Sequence, residues 1–204
     1  MPRITPEITE NPLILVNGIV LLALTVLTAV FISLYASNVY KGNKKKAVLF
    51  FTVIAALTAL SLFCFFGCAA TTVKGIIFCL LLAFSSYEDI KTRACENYVH
   101  LMIVIAAFIG TEMSALPGML LSALIIGGIM LMTAAVTKSS IGGADIKLSA
   151  ACAFMLGTVQ GMTGLMIGLI LAVIINSIKN RKKKHEGFPF IPYLAVGFTA
   201  AYFM

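Results

Sequence analysis

The sequence predicts an all-α membrane protein, a polytopic bundle of about eight transmembrane helices. Of its 204 residues, 60% are hydrophobic and only 11% are charged, and the mean hydropathy is +1.03. A water-soluble domain of this size could not cover its core with so few polar residues. The apolar runs fill nearly the whole chain and the connections are short, so we predict a single domain in the membrane.

Eight apolar runs define the predicted spans. They cover residues 13–37, 47–69, 71–87, 98–112, 117–137, 146–158, 160–178 and 188–204. The first run is too long for the core of a signal peptide, and Arg3 is outweighed by Glu7 and Glu10, so we expect this span to be retained. The third, fourth, sixth and eighth runs fall below the roughly 20 residues that cross a bilayer unaided. Their assignment depends on the charge pattern.

The basic residues support eight spans and predict an orientation. Of the 15 Lys and Arg residues, all but Arg3 and Lys74 fall in the loops 38–46, 88–97, 138–147 and 179–187. Eight spans put these loops on one side of the membrane, and the positive-inside rule makes that side cytoplasmic. We therefore predict a multi-pass protein of the cell membrane with both termini outside. The loops are short and lack interleaved aromatic residues, which favours membrane lipids over nucleic acid as their partner.

The cysteines and histidines give no sign of a disulfide framework or a metal site. The five cysteines lie mostly inside apolar runs, and no pair has the spacing Cys-x-x-Cys. His100 and His185 have no partner at the spacing of metal ligands. In the seventh run, Gly161, Gly164 and Gly168 lie close to one helix face, where small residues let another helix approach closely.

Two aspartates lie at the ends of apolar runs, on the predicted cytoplasmic side. Asp89 follows the third run and Asp145 precedes the sixth. A carboxylate near hydrocarbon costs about 2.5 kcal/mol or more, so its presence indicates a function. Two neighbouring carboxylates can share one proton, so that the ionised one deprotonates water and the neutral one protonates a scissile carbonyl. This is aspartic peptidase chemistry, which needs no metal.

The helix ends suggest which aspartate carries the charge. Asp145 stands at a helix N-terminus, which favours the anion, and Asp89 at a helix C-terminus, which disfavours it. We therefore predict that Asp145 is ionised and Asp89 protonated in the resting protein. Residues alone leave a structural alternative open, in which Asp89 pairs with Lys91 or Arg93 and Asp145 only caps its helix.

Three segments resemble motifs of the type IV prepilin leader peptidase family. Segment 89–97, Asp-Ile-Lys-Thr-Arg-Ala-Cys-Glu-Asn, is similar to a motif in which Asp opens a basic turn that Ile-Pro-Asn closes. Segment 142–148 is similar to Gly-x-Gly-Asp followed by a hydrophobic residue, Lys and Leu, and segment 188–197 to the proline-rich start of the last helix. Ala144 replaces the second glycine, and Cys95 and Glu96 replace Ile and Pro.

The resemblance covers about residues 75–204 and implies a membrane aspartic endopeptidase. Such an enzyme removes the short basic leader from type IV pilin-like or pseudopilin precursors at the cytoplasmic face, with Asp89 and Asp145 as the catalytic pair. Residues 71–204 would form the catalytic six-helix part, and residues 1–70 two preceding spans. The loop 41–46 is too short to hold the zinc or nucleotide cofactor of methyl-transferring relatives, so we expect no cofactor and no N-methylation.

Several neighbours of the pair are candidates for binding or loop shape. Small residues leave room for a substrate backbone, so we predict that Gly142, Gly143 and Ala144 bind the substrate or shape the loop. Lys147 either reaches the interface with its ammonium group or stabilises the carboxylate or substrate. Glu96 is a candidate for attracting the basic leader. Glu88 points about 100° away from Asp89 on a helix, so we expect it to be solvated.

Three other functions remain as alternatives at this point. A signal peptide peptidase would have Tyr and Asp adjacent, but Glu88 separates Tyr87 from Asp89. A proton-coupled transporter would place its acids near the bilayer midplane, often in repeated halves, and the sequence has no repeat. The third is a catalytically silent scaffold for pilus assembly. The sequence predicts no oligomeric state.

Overall fold

The structure, a computed structural model, describes residues 12–136, 142–179 and 188–204. These form eight α-helices and one short 3-10 helix: α1 (Pro12–Val39), α2 (Lys44–Phe66), α3 (Ala70–Thr92), α4 (Asn97–Ala106), the 3-10 helix Met113–Ala115, α5 (Leu116–Val136), α6 (Gly143–Leu156), α7 (Thr158–Lys179) and α8 (Ile191–Tyr202). Five helices are long and apolar enough to cross a membrane. The predicted all-α membrane bundle is confirmed.

Some of the sequence predictions concern residues outside these described ranges. They include the N-terminal charges Arg3, Glu7 and Glu10, and the loop residues Lys138, Arg181, Lys182, Lys183, Lys184 and His185. The orientation inferred from the basic loops stays a prediction.

Helix α3 runs five residues past its predicted end. The apolar run stops at Tyr87, but the backbone stays helical to Thr92, because charged side chains at a helix end do not break its hydrogen bonds. The helix ends where Arg93 adopts a left-handed conformation with φ of 57° and donates its N–H to the Asp89 carbonyl at 3.0 Å. Asp89 therefore lies inside the last turn of α3 instead of following the helix.

The chain divides into two compact units, Met1–Phe84 and Ser85–Met204, with the boundary inside α3. In the first unit α1 packs against α2, and Gly18 faces the ring of Phe63 so closely that a methyl group there would overlap it. The prediction that the chain is one domain stays a prediction.

Helix α6 occupies the middle of the second unit. It packs against α4, α5, α7 and α8, and more than half of its 14 residues are buried. A single residue, Gly157, connects it to α7 and adopts φ of 87°, a conformation that glycine reaches without strain. The helix that carries Asp145 is therefore held from several sides.

The glycines of α7 form the predicted close helix contacts. Gly161 faces Ala153 of α6, while Gly164 and Gly168 face α8. Gly197 of α8 meets the backbone of both Gly164 and Gly168, and a side chain would not fit there. Small residues on both helices thus bring α7 and α8 into backbone contact.

Candidate active site

A cavity of about 410 Å³ lies at one end of the second unit, and both aspartates line it. The end of α3, the start of α6, the last turns of α7 and the start of α8 all contribute to its wall. Residues that lie 56 positions apart in the chain, Asp89 and Asp145, are thus brought to one cavity, as the sequence predicted they could be.

Asp89 is buried and accepts a hydrogen bond from another helix. Its side chain is 7% exposed, and its Oδ2 accepts the backbone N–H of Ile191 at 3.0 Å. Ile191 is the first residue of α8, whose initial N–H groups have no partner within the helix. Asp89 therefore supports the start of α8 from the end of α3.

Asp145 is held by its own helix. It stands in the first turn of α6, 9% exposed, and its Oδ2 accepts the Gly142 N–H at 3.1 Å. This contact is the side-chain half of a capping box, in which the third helical residue reaches back to the residue before the helix. The capping role that the sequence left open is real, and it leaves the carboxylate facing the cavity.

The charge assignment predicted from helix dipoles is not supported. The pKa of the Asp145 carboxyl is raised to about 6, chiefly by burial and in part by the charge of Asp89, while the Gly142 N–H acts in the opposite direction. With Asp89 charged, Asp145 therefore holds a proton more readily than an ordinary aspartate. The prediction considered only each residue's own helix, and it missed the N-terminus of α8 beside Asp89.

The small residues of the predicted loop are partly where the sequence placed them. Gly142 and Ala144 line the cavity, and Gly143 begins α6 without lining it. Ala144 lies within the helix and is not among the described residues with positive φ, so its methyl group causes no backbone strain.

Lys147 and Glu96 do not line the cavity. The ammonium group of Lys147 instead donates to the amide oxygen of Asn97 at 2.9 Å, which connects α6 to the first residue of α4. Glu96 is exposed and precedes α4 without capping it through its side chain. Their roles in binding substrate stay predictions.

Glu88 is buried, which corrects the expectation of a solvated residue. Its side chain is 2% exposed, and its Oε2 accepts the backbone N–H of Glu96 at 3.3 Å. The expectation was wrong because the chain after α3 folds back over this side chain.

The sequence named Arg93 only as a possible partner of Asp89, and it did not predict that residues such as Asn176 and Phe190 line the cavity. Arg93 lines the cavity and its charge acts on Asp89, and Phe190 and Asn176 form other parts of the wall. Asn176 had a detectable signal, because a polar amide inside an apolar helix indicates a buried role. No local pattern identifies Phe190, which reaches the cavity only through the packing of α8.

Comparison with protein families gives one match. The model described as the type IV leader peptidase family matches residues 76–177, half of the chain, and this range includes both aspartates. No curated protein and no solved structure matches the chain significantly.

Proposed function

Because the chain belongs to the type IV leader peptidase family, we propose that it is an aspartic endopeptidase that removes the leader from type IV prepilin-like precursors. In this proposal Asp89 and Asp145 are the catalytic pair, and cleavage takes place at the cytoplasmic face of the membrane. A membrane protease of the leader peptidase type follows from the family alone. The catalytic pair, the substrate and the side of cleavage are the proposal.

The observation that carries the proposal is the meeting of the two aspartates at one cavity. Each carboxylate comes from a different helix, each is largely buried, and the charge of one acts on the other. Such a pair holds one proton between its members. The ionised Asp89 takes a proton from water as the water attacks the scissile carbonyl, and Asp145 protonates the carbonyl oxygen.

The wall of the cavity suits an extended peptide. Gly142 and Ala144 leave room for a main chain, and the aromatic residues Phe188 and Phe190 also line the cavity. Family enzymes cut between a glycine and the hydrophobic helix of the pilin. The small residues suit the glycine side of the cleavage site, and the aromatic rings suit the hydrophobic side.

The proposed reaction ends at cleavage, without methyl transfer. Only residues 40–43 lie between α1 and α2, which is where relatives with the second activity carry an additional domain. A product with a methylated N-terminus, made by this protein alone, would contradict this part.

The test is co-expression with candidate prepilin-like precursors. Wild type should remove the leader, and Asp89→Asn and Asp145→Asn should each slow removal at least about a hundredfold, since each variant lacks one proton-transfer group. Glu112→Gln is the matched control, because Glu112 is an exposed acid outside the cavity. Leader removal that persists in both Asn variants would contradict the aspartic mechanism.

A further inference from the structure

Glu88, the neighbour of Asp89, has a buried carboxylate that the proposed reaction does not use. Only 2% of the side chain is exposed, within the last turns of α3. A carboxylate loses its hydration on burial and needs polar partners in return. Its Oε2 accepts the backbone N–H of Glu96 at 3.3 Å, eight residues ahead.

This contact closes the loop between α3 and α4. The loop consists of residues 93–96, begins with the left-handed Arg93 and ends where α4 starts. The hydroxyl of Thr92 lies 3.0 Å from the main-chain carbonyl of Glu88, one turn earlier in α3, and 3.4 Å from the carbonyl of Ala94 in the loop. The Glu88 carboxylate thus contacts the end of the turn that follows Asp89, and Thr92 contacts its start.

Cys95 is a residue of the same loop and is partly exposed. It interacts with the hydroxyl of Ser85 and the carboxylate of Glu88, and burial raises the pKa of the Cys95 thiol to about 12. A thiol with so high a pKa is almost entirely protonated at neutral pH and reacts slowly with alkylating reagents. The reactivity of Cys95 therefore reports whether the loop is closed.

The closed loop is connected by hydrogen bonding to the segment that carries Asp145. Asn97 follows Glu96, and its amide oxygen accepts the ammonium group of Lys147 at 2.9 Å. Lys147 lies two residues beyond Asp145 on α6. A continuous series of contacts thus runs from the turn after Asp89, through the loop and α4, to the turn that holds Asp145.

We propose that Glu88 is a positioning residue. Its carboxylate holds the 93–96 loop so that Asn97 meets Lys147, and this contact keeps the segments that carry Asp89 and Asp145 in their relative placement. This role rests on the proposed peptidase function. Glu88 transfers no proton in it, and acts through the backbone of Glu96. Loss of the carboxylate should therefore lower kcat more than it raises KM.

The conformation of Glu96 allows this single hydrogen bond to be removed. Its φ of −69° and ψ of 142° are values that proline adopts. Glu96→Pro therefore deletes the N–H donor while the backbone keeps its course. Glu88→Leu deletes the acceptor at similar volume, and Glu88→Gln keeps an acceptor oxygen and serves as the conservative control.

The kinetic test is a double-mutant cycle on leader removal. Glu88→Leu should lower kcat about tenfold or more, as expected for misplaced catalytic groups, with KM within about twofold of wild type. Glu88→Gln should stay within about threefold of wild type, because its amide oxygen still accepts the N–H. In the Glu96→Pro background, Glu88→Leu should cause no further loss, because the donor is already absent. Independent, multiplying effects would contradict the role of this bond.

The second readout does not depend on cleavage. Alkylation of Cys95 is followed on purified protein with Cys64 and Cys68 replaced by Ala, because these two thiols are exposed, and Cys95→Ser gives the background. Glu96→Pro, which keeps the Glu88 charge that itself raises the pKa of the Cys95 thiol, should accelerate alkylation about tenfold, and Glu88→Leu should accelerate it at least as much. Unchanged alkylation would overturn the inference. So would an open loop with unchanged kcat, which would leave Glu88 a purely structural residue.

A wild type that cleaves no precursor would overturn the proposed function and the positioning role together, and the alkylation result would still establish what closes the loop.

Discussion

The Asp89 carboxylate accepts the backbone N–H of Ile191 at 3.0 Å, across 102 positions of the chain. Ile191 is the first residue of α8, and Pro192 follows it. Phe190, which precedes the helix, makes no side-chain cap. Asp89 of α3 thus acts as a capping residue for α8. A candidate catalytic group therefore also stabilises the fold.

This double role predicts that two substitutions of Asp89 will differ in stability. Asp89→Asn keeps an acceptor oxygen for the Ile191 N–H and removes a buried charge, so its thermal unfolding in detergent should show at least wild-type stability although leader removal is lost. Asp89→Ala loses the acceptor and should be about 1 kcal/mol less stable, the usual cost of a lost cap. Equal stability of the two variants would mean that the hydrogen bond contributes nothing.

The raised pKa of Asp145 predicts how stability depends on pH. Its pKa is about 6 in the folded protein against 3.8 for an ordinary Asp, so the stability this group contributes is fully present below about pH 4 and is lost as the pH rises through about 6. The full difference corresponds to about 3 kcal/mol. Asp145→Asn should therefore gain stability over wild type at pH 8 and gain about half as much at pH 5. Thermal unfolding at the two pH values measures this, and a gain independent of pH would contradict the assignment.

The same pKa predicts the pH dependence of cleavage. If Asp145 supplies the proton to the scissile carbonyl, kcat/KM should fall as the pH rises above about 6, by close to tenfold per pH unit at higher pH. The measurement is leader removal from one precursor between pH 5 and 9. A rate that keeps rising through pH 8 would contradict the assignment of the proton to Asp145.

The neighbouring glycines Gly142 and Gly143 offer a matched pair of substitutions. A Cβ at Gly142 would lie 3.0 Å from the Asp145 Oδ2, while a Cβ at Gly143 would meet nothing within 4 Å. The φ of Gly142 is −69°, so alanine causes no backbone strain there. Gly142→Ala should displace the carboxylate and lower kcat about tenfold or more. Gly143→Ala should keep the wild-type rate, and equal rates for both variants would show that this displacement is harmless.

The backbone contact between α7 and α8 predicts a loss of folding. A methyl group at Gly197 would overlap the backbone of Gly164 and Gly168, and neither backbone can move aside as a flexible side chain would. Gly197→Ala should therefore cost several kcal/mol, roughly 3 or more, and reduce the yield of monodisperse protein. Gly128→Ala is the control, because a Cβ there meets nothing within 4 Å. Normal yield of both variants would contradict the close approach of α7 and α8.

Hydropathy and charge predicted the helices because each apolar run is a local property of the chain. The cost of a carboxylate near hydrocarbon led to Asp89 and Asp145 without any structure. Contacts between distant segments could not be predicted in this way. The N–H of Ile191 beside Asp89 acts against the dipole argument, and the return of the 93–96 loop buries Glu88. Both results depend on how the helices pack, which no local pattern encodes.

Helices α4, α6 and α8 contain 10, 14 and 12 residues. At about 1.5 Å per residue they rise about 15, 21 and 18 Å, whereas the hydrocarbon of a bilayer is about 30 Å thick. Each of the three begins at the end of the unit where the cavity lies. Lipid beside α4 and α8 must therefore thin, or water must fill the space above the first turns of these two helices. Hydrophobic mismatch would then admit the solvent that hydrolysis consumes, and the rate would depend on the thickness of the bilayer although no residue changes.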